Sequence, residues 1–253
     1  MSEPVDLVLF AHLVRKPDIE LDLDRAALLI AEAEYPELDV AAYVCKLDRL
    51  GQLARQRLRS LGIQPGQPGV APIDGMMAIL QLLYQDLGFS GNVSDYYDPR
   101  NSFLNEVLDR RTGIPITLAL VLLGVCRRAG VVAHGISFPG HFLVRTSRRG
   151  GEPVFVDPFD GRVLEPGQIR ALYEQATGDP GMIDERFLEP ASRRQILARM
   201  LNNLRNIYEI RGDRVRLQRV LERMAVVSPS DEVRSRLDLL VSNAALPPRV
   251  SVN

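Results

Sequence analysis

Apolar positions recur with a helical period through most of the first 62 residues, and the breaks in that period mark the predicted elements. The run "RAALLIAEAEY", Arg25 to Tyr35, reads as a helix with Asp24 at its N-cap and Pro36 ending the pattern. Val40, Val44, Leu47, Leu50, Ala54 and Leu58 place one apolar stripe along a second helix, and Cys45 beside that stripe is expected to pack with it. The stretch "GIQPGQPGVAP", Gly62 to Pro72, holds three glycines and three prolines and predicts a linker or surface loop. Asp74 is expected to cap a further helix that carries Met76, Met77, Leu80, Tyr84 and Leu87 and closes at Gly88.

The segment "GFSGNVSDYYDPRNS", Gly88 to Ser102, is a long polar loop. It reads either as a functional loop presenting Tyr96 and Tyr97 or as a structural plug with Phe89, Tyr96 and Tyr97 turned inward. "FLNEVLDRR" predicts a short helix with Ser102 as its cap. The next helix, "ITLALVLLGVC", is apolar on all sides and therefore belongs at the centre of a core. "VVAHGISF", "HFLVRT" and "PVFVDPF" are short, rich in β-branched and aromatic residues, and separated by Pro-Gly or Gly-Gly turns, so they predict antiparallel strands. A buried helix followed by a β-meander is an α+β layout.

From Ala191 the helical period returns. Ile196, Leu197, Met200, Leu201, Leu204, Ile207 and Tyr208 mark one apolar face, and Val220, Leu221 and Met224 a second helix that Pro229 stops. A third helix carries Val233, Leu237, Leu240 and Val241. Helix, tight turn, helix and proline within this period resemble one tetratricopeptide repeat with a capping helix, expected to pack on the rest of the chain. The predicted organisation is a helical N-terminal region with linker (1–73), an α+β core (74–180) and a helical C-terminal region (181–253).

Composition adds little. Hydrophobic residues at 46%, charged residues at 25% and a formal net charge of −1 are those of an ordinary globular protein, giving no sign of a membrane or nucleic-acid partner. The longest apolar stretch, Ile114 to Cys126, is too short to cross a bilayer, and the N-terminus lacks a leader pattern, so a cytoplasmic location is expected. Two cysteines and three histidines predict no disulfide framework, no metal site and no cofactor. Charge is unevenly placed, however. Residues 1–64 carry 11 acidic and 8 basic side chains, whereas residues 191–241 carry 6 acidic and 11 arginine side chains, read as solvated helix faces.

Candidate chemistry lies in the meander. If "HFLVRTSRRGGEPVFVDPF" turns near Arg149, opposed positions sum to 298, which sets His141 across from Asp157. A carboxylate beside an imidazole fixes its tautomer, the orienting half of a nucleophile–base–orienter triad. The alternative is a stabilising pair without catalytic duty.

"NSFLNEVLDRRTGIPITLALVLLGVCRRAG", "GISFPGHFLVR" and "VFVDPFDGRVL" together resemble the bacterial SirB-type family, in which a transglutaminase-like core is joined to a tetratricopeptide-like C-terminal region. The resemblance implies a papain-like, transglutaminase-type α+β core, with a central buried helix and an antiparallel sheet, flanked by helical regions. It also implies that a nucleophilic cysteine opens the central helix and that the histidine and aspartate roles fall on His141 and Asp157. The cysteine is missing: the corresponding place, Ile114 to Ile116, reads "IPI". Placing a thiol there serves a purpose, because the positive end of the helix dipole lowers its pKa.

Cys126 lies ten positions beyond Ile116, about 15 Å along a helix, so it is predicted to be a buried packing residue at the wrong end of the dipole. Thr117 and Ser102 are the remaining hydroxyl candidates, with Thr117 a turn or less from the vacated position and Ser102 better read as a cap, and Asn105 and Glu106, just before the central helix, are candidate binding residues. The favoured reading is a non-catalytic transglutaminase-like protein acting as a protein- or peptide-binding or regulatory module. The alternatives are a hydrolase or acyl-transfer enzyme that uses His141 and Asp157 with water or Thr117, and a nucleic-acid or regulatory adaptor working through the arginine-rich helices.

Overall fold

The centre of the molecule is the helix that has no polar face. In the computed structural model, which describes residues 5–67 and 69–244, α6 (Pro115–Ala129) buries every residue except Leu123, Arg127 and Arg128. Pro115 occupies its first turn, where a missing N–H costs nothing, and Gly130 ends it in the left-handed conformation. Around it pack α3 (Val40–Ser60), α4 (Pro72–Leu80), α5 (Leu104–Arg110) and α8 (Arg193–Arg211).

Two further N-terminal helices, α1 (Val5–Val14) and α2 (Leu23–Glu32), precede α3. Asp22, not Asp24, caps α2 by accepting the Arg25 amide, because the helix starts at Leu23, two residues before the predicted run. Asp24 is buried instead, held by Arg127 and Arg128 at the far end of α6. Asp74 likewise sits inside its helix: Ala71 is the N-cap, and the Asp74 carboxylate reaches back to accept its amide at 3.0 Å. Beyond Leu80 the helix widens into a π-helical turn over Gln81–Asp86 that carries Tyr84. Met77 is half exposed on it, off the face that meets the core. Cys45 is exposed as well, since the stripe of α3 that meets α6 centres on Leu47, Ala54 and Leu58. The predicted loop at 62–72 gives up Pro72 to α4, and its Pro68 lies outside the described residues.

A four-stranded antiparallel meander follows α6 in sequential order: β3 (His134–Ile136), β4 (Leu143–Ser147), β5 (Pro153–Asp157) and β6 (Arg162–Leu164). Val144 and Val156 on one face join the core around α6; Leu143, Phe155 and Leu164 on the other meet α7 (Pro166–Thr177) through Ile169 and Tyr173. The sheet is thus covered on both faces. Two residues upstream, Ser90–Gly91 (β1), pair in parallel with Thr112–Gly113 (β2). Gly113 serves close packing in that extended segment, because a Cβ there would meet Thr117 and Val107 within 3 Å.

Of the C-terminal helices, α8 lies on α2, α9 (Arg214–Val227) on α1, and α10 (Asp231–Ala244) on α9; the side chain of Val241 is outside the described residues. One apolar cluster takes residues from Phe10 to Val233. Along this seam the arginines are not solvated faces as the sequence predicts. Arg193 and Arg194 donate to the carbonyls of Val14, Lys16, Ile19 and Leu21, while their own amides bond Asp18. Arg216 grips Glu34, Arg219 bonds the Ala33 carbonyl, and Arg223 is buried against Asp6. The acidic N-terminal and arginine-rich C-terminal regions differ in charge because each answers the other.

Candidate functional site

The site is built from a turn, two strand ends and one long loop. Pro139 and Gly140 form the turn before β4, with Gly140 at φ +64° and a Cβ there 2.7 Å from Ala176 of α7, so that glycine is needed on both counts. His141 follows it and Asp157 ends β5. Their side chains meet, with Nε2 of His141 2.8 Å from Oδ1 of Asp157. The carboxylate also accepts the Phe159 amide at 2.8 Å. With Nε2–H donating to Asp157, the neutral ring carries its lone pair on Nδ1, the arrangement of an oriented base. Asp157 is 6% exposed and His141 16%.

The strand register that brings them together is shifted from the predicted one. Val144 opposes Val156 and Arg145 opposes Phe155, so paired numbers sum to 300. The turn centres on Gly150, where Gly150 and Gly151 both take positive φ inside a loop closed from Arg148 to Glu152. His141 therefore lies outside β4 and meets Asp157 diagonally. A shift of the sum by two keeps both side chains on one face, which is why the contact survives the error.

The loop from Gly88 to Ser102 closes over this region and divides between its two predicted roles. Phe89 is buried, whereas Tyr96 is 40% and Tyr97 64% exposed. Tyr96 contacts Tyr97 edge-on and lies 6.1 Å from the Phe159 ring. Asn92 and Asn101, which the sequence reading passed over, hold the loop: Asn92 donates to Asn101 at 3.0 Å, and Asn101 donates to the carbonyls of Asp95 and Tyr96. Their only signal in the sequence is a pair of short amide side chains in a turn-rich segment.

Thr117 ties this loop to the central helix. Its hydroxyl is fully buried, donates to the Asn101 carbonyl at 2.6 Å and accepts the Ile114 amide at 3.2 Å, so it caps α6. Ser102 does not cap α5, whose N-cap is Phe103; the Ser102 hydroxyl is buried without a partner among the described residues. Asn105 is buried with its Oδ1 unpartnered, and Glu106 acts on Tyr35, whose hydroxyl burial and Glu106 push above its ordinary value. Neither residue shares a hydrogen bond or ion pair with His141 among the described residues. Arg199 of α8, also missed, does reach the dyad, donating to the His141 carbonyl at 2.9 Å and to the Ser137 hydroxyl at 3.3 Å.

Cys126 is 1% exposed, and burial pushes its thiol up to about 12. Thiol labelling of the native protein near neutral pH is therefore expected to modify Cys45 and spare Cys126 until denaturant is added. Rapid native labelling of Cys126, read by peptide mass, contradicts that assignment.

No cluster of three metal-ligating side chains lies among the described residues, and no described helix is long and apolar enough to cross a membrane. Two surface hollows of about 730 and 720 Å³ border Tyr84 with Phe159, and Asp22 with Arg127, respectively. Neither is lined by His141 or Asp157.

A UPF0162 protein of Xylella fastidiosa strain Temecula1 is 39% identical over 212 residues, 82% of this chain and 72% of the relative. Another from strain 9a5c is 37% identical over 234 residues, 91% and 80% of the two chains. F-box only protein 21 of Mus musculus is 46% identical over 83 residues, which is 33% of this chain and 13% of that protein. No solved structure matches the chain. Residues 41–202, from the start of α3 to the middle of α8, match the transglutaminase-like superfamily. With a central buried helix, an antiparallel sheet beside it and a paired histidine and aspartate at the sheet's end, the chain belongs to the transglutaminase-like superfamily and stands among the UPF0162 proteins.

Proposed function

We propose that this protein is a non-catalytic member of its superfamily, a binding or regulatory module that holds a protein or peptide at the face formed by His141, Tyr96 and Tyr97. The observation that carries the reading is the start of α6. The helix is well placed to activate a nucleophile, yet Ile114, Pro115 and Ile116 are apolar and buried there, and the Thr117 hydroxyl is already committed to Asn101 and Ile114. Cys126 is remote and inert. The dyad itself is intact, and in this reading it serves to shape a surface and position the Pro139–His141 turn. The exposed tyrosines provide amphipathic contact area suited to a peptide.

The hydrolase reading is supported by one feature, the oriented Nδ1 of His141, which is the atom that would activate a water. The adaptor reading loses support because most arginines of α8 and α9 are spent on intramolecular contacts. The deciding experiment assays purified protein for hydrolysis of a thioester and an aryl ester, and for amine incorporation at a glutamine peptide. Turnover is expected to equal that of His141→Ala in every assay. Activity that disappears in His141→Ala but survives in Cys126→Ala overturns the proposal in favour of water or hydroxyl chemistry.

A further inference from the structure

Several inward-reaching arginines of this protein have charged partners, whereas the Arg193 and Arg194 side chains reach backbone carbonyls of the N-terminal segment. Arg128 holds Asp24 and Asp48, Arg216 holds Glu34 and Asp213, and Arg223 holds Asp6. Arg199, like Arg193 and Arg194, has neutral acceptors only, and it alone of these three stands beside the dyad. It is partly buried on α8, and among the described residues no carboxylate lies within ion-pairing distance of it. Two of its five N–H donors reach neutral acceptors, the His141 carbonyl and the Ser137 hydroxyl. Burial lowers its pKa from the ordinary arginine value, and the group that opposes this is the nearby Tyr96 phenol. A cation taken partly out of water without a counterion is costly, and an arriving anion relieves the cost.

The surroundings of Arg199 close into one patch. Tyr96 lies near Arg199 on one side and 6.1 Å from Phe159 on the other; the Phe159 amide shares Asp157 with His141, and Arg199 bonds the His141 carbonyl. Tyr96 is partly exposed, and the exposed Tyr97 packs edge-on against it. We propose that Arg199 and the Tyr96 hydroxyl form a carboxylate-binding site that anchors an acidic side chain or the C-terminus of a peptide partner beside the His141–Asp157 pair. The site takes a monoanion: with a single guanidinium and the buried Asp157 nearby, the second charge of a phosphate dianion finds repulsion and no partner. This deepens the binding role proposed above and rests on it.

The test is a titration of the isotope-labelled full chain with three acetylated tetrapeptides, followed by the Arg199 side-chain and Tyr96 backbone resonances. Acetyl-Ala-Ala-Tyr-Glu amide carries a side-chain carboxylate, acetyl-Ala-Ala-Tyr-Ala a free C-terminus, and acetyl-Ala-Ala-Tyr-Gln amide neither. At least one acidic peptide is expected to bind about tenfold or more tightly than the neutral one, the size of one charge-assisted hydrogen-bonded pair, and the preferred arm names the source of the carboxylate. Arg199→Met is expected to erase that difference and Arg199→Lys to keep part of it. Tyr96→Phe, at a surface position where folding is not at stake, should reduce the preference severalfold. Equal binding of acidic and neutral peptides refutes the carboxylate site while leaving a peptide-binding face standing. Absence of binding by all three refutes both, and an acidic preference that persists in Arg199→Met places the anion elsewhere and overturns the assignment.

Discussion

Asp24→Ala is expected to destabilise the protein by about 3 kcal/mol, a fall in melting temperature of roughly 6–12 °C for a chain of this size. Asp24 is 4% exposed and receives Arg127 and Arg128, joining α2 to the C-terminal end of α6 across more than one hundred residues of sequence. Removing it leaves two guanidinium groups without their shared carboxylate. Arg127 is more than half exposed and returns to water at little cost, so the loss falls mainly on Arg128. Arg128 keeps Asp48 and the Gly124 carbonyl, which holds the effect at the lower end of the range of about 3–5 kcal/mol for a broken buried pair. Replacing the pair together, Asp24→Leu with Arg128→Met, should recover a large part of the loss, since two apolar groups require no desolvation of charge. Denaturant unfolding checks both. A single-variant effect below about 1 kcal/mol would place this ion pair with ordinary solvated surface pairs.

Gly161→Ala is expected to cost about 2–4 kcal/mol and to disturb the dyad as well. Gly161 takes φ +66°, a conformation that other residues enter only with strain, and a Cβ there would lie 2.2 to 2.6 Å from the Tyr84 ring, starting at the atom nearest its own backbone. The ring is pinned, since the Tyr84 hydroxyl bonds the Pro158 carbonyl, and it cannot simply swing away. The same turn is closed by the Gly161 amide on the Asp157 carbonyl at 2.9 Å, so its displacement moves the carboxylate that orients His141. Combining Gly161→Ala with Tyr84→Ala removes the clash and leaves the backbone strain. A double-mutant cycle should therefore show the pair costing less than the sum of the single changes. Strict additivity in denaturation experiments, with an unchanged His141 imidazole resonance in Gly161→Ala, would show that the turn accommodates a side chain.

The central helix was legible because its signal is local. A run apolar on every side can only be buried on every side, and Pro115 and Gly130 bound it through their own backbone preferences. The meander was legible through β-branched runs and glycine turns, although β6 and α7 were not read. The His141–Asp157 contact was anticipated from a register that proved two units off, and parity rescued it. The caps were misplaced at Asp24, Asp74 and Ser102 because a capping side chain is chosen by where the helix starts in space, not by composition alone.

The sequence by itself determined the α+β class, the burial of α6, the pairing of His141 with Asp157 and the lack of a thiol at the helix start, because each depends on periodicity or on residue identity at one place. Tertiary structure alone decided where charge goes. It buried Asp24, exposed Cys45, turned the arginines of α8 and α9 onto the acidic N-terminal helices and left Arg199 beside the dyad without a counterion. Ion pairs and tertiary hydrogen bonds join residues separated by up to more than two hundred positions, and only three-dimensional packing decides which charge meets its opposite and which remains for a partner.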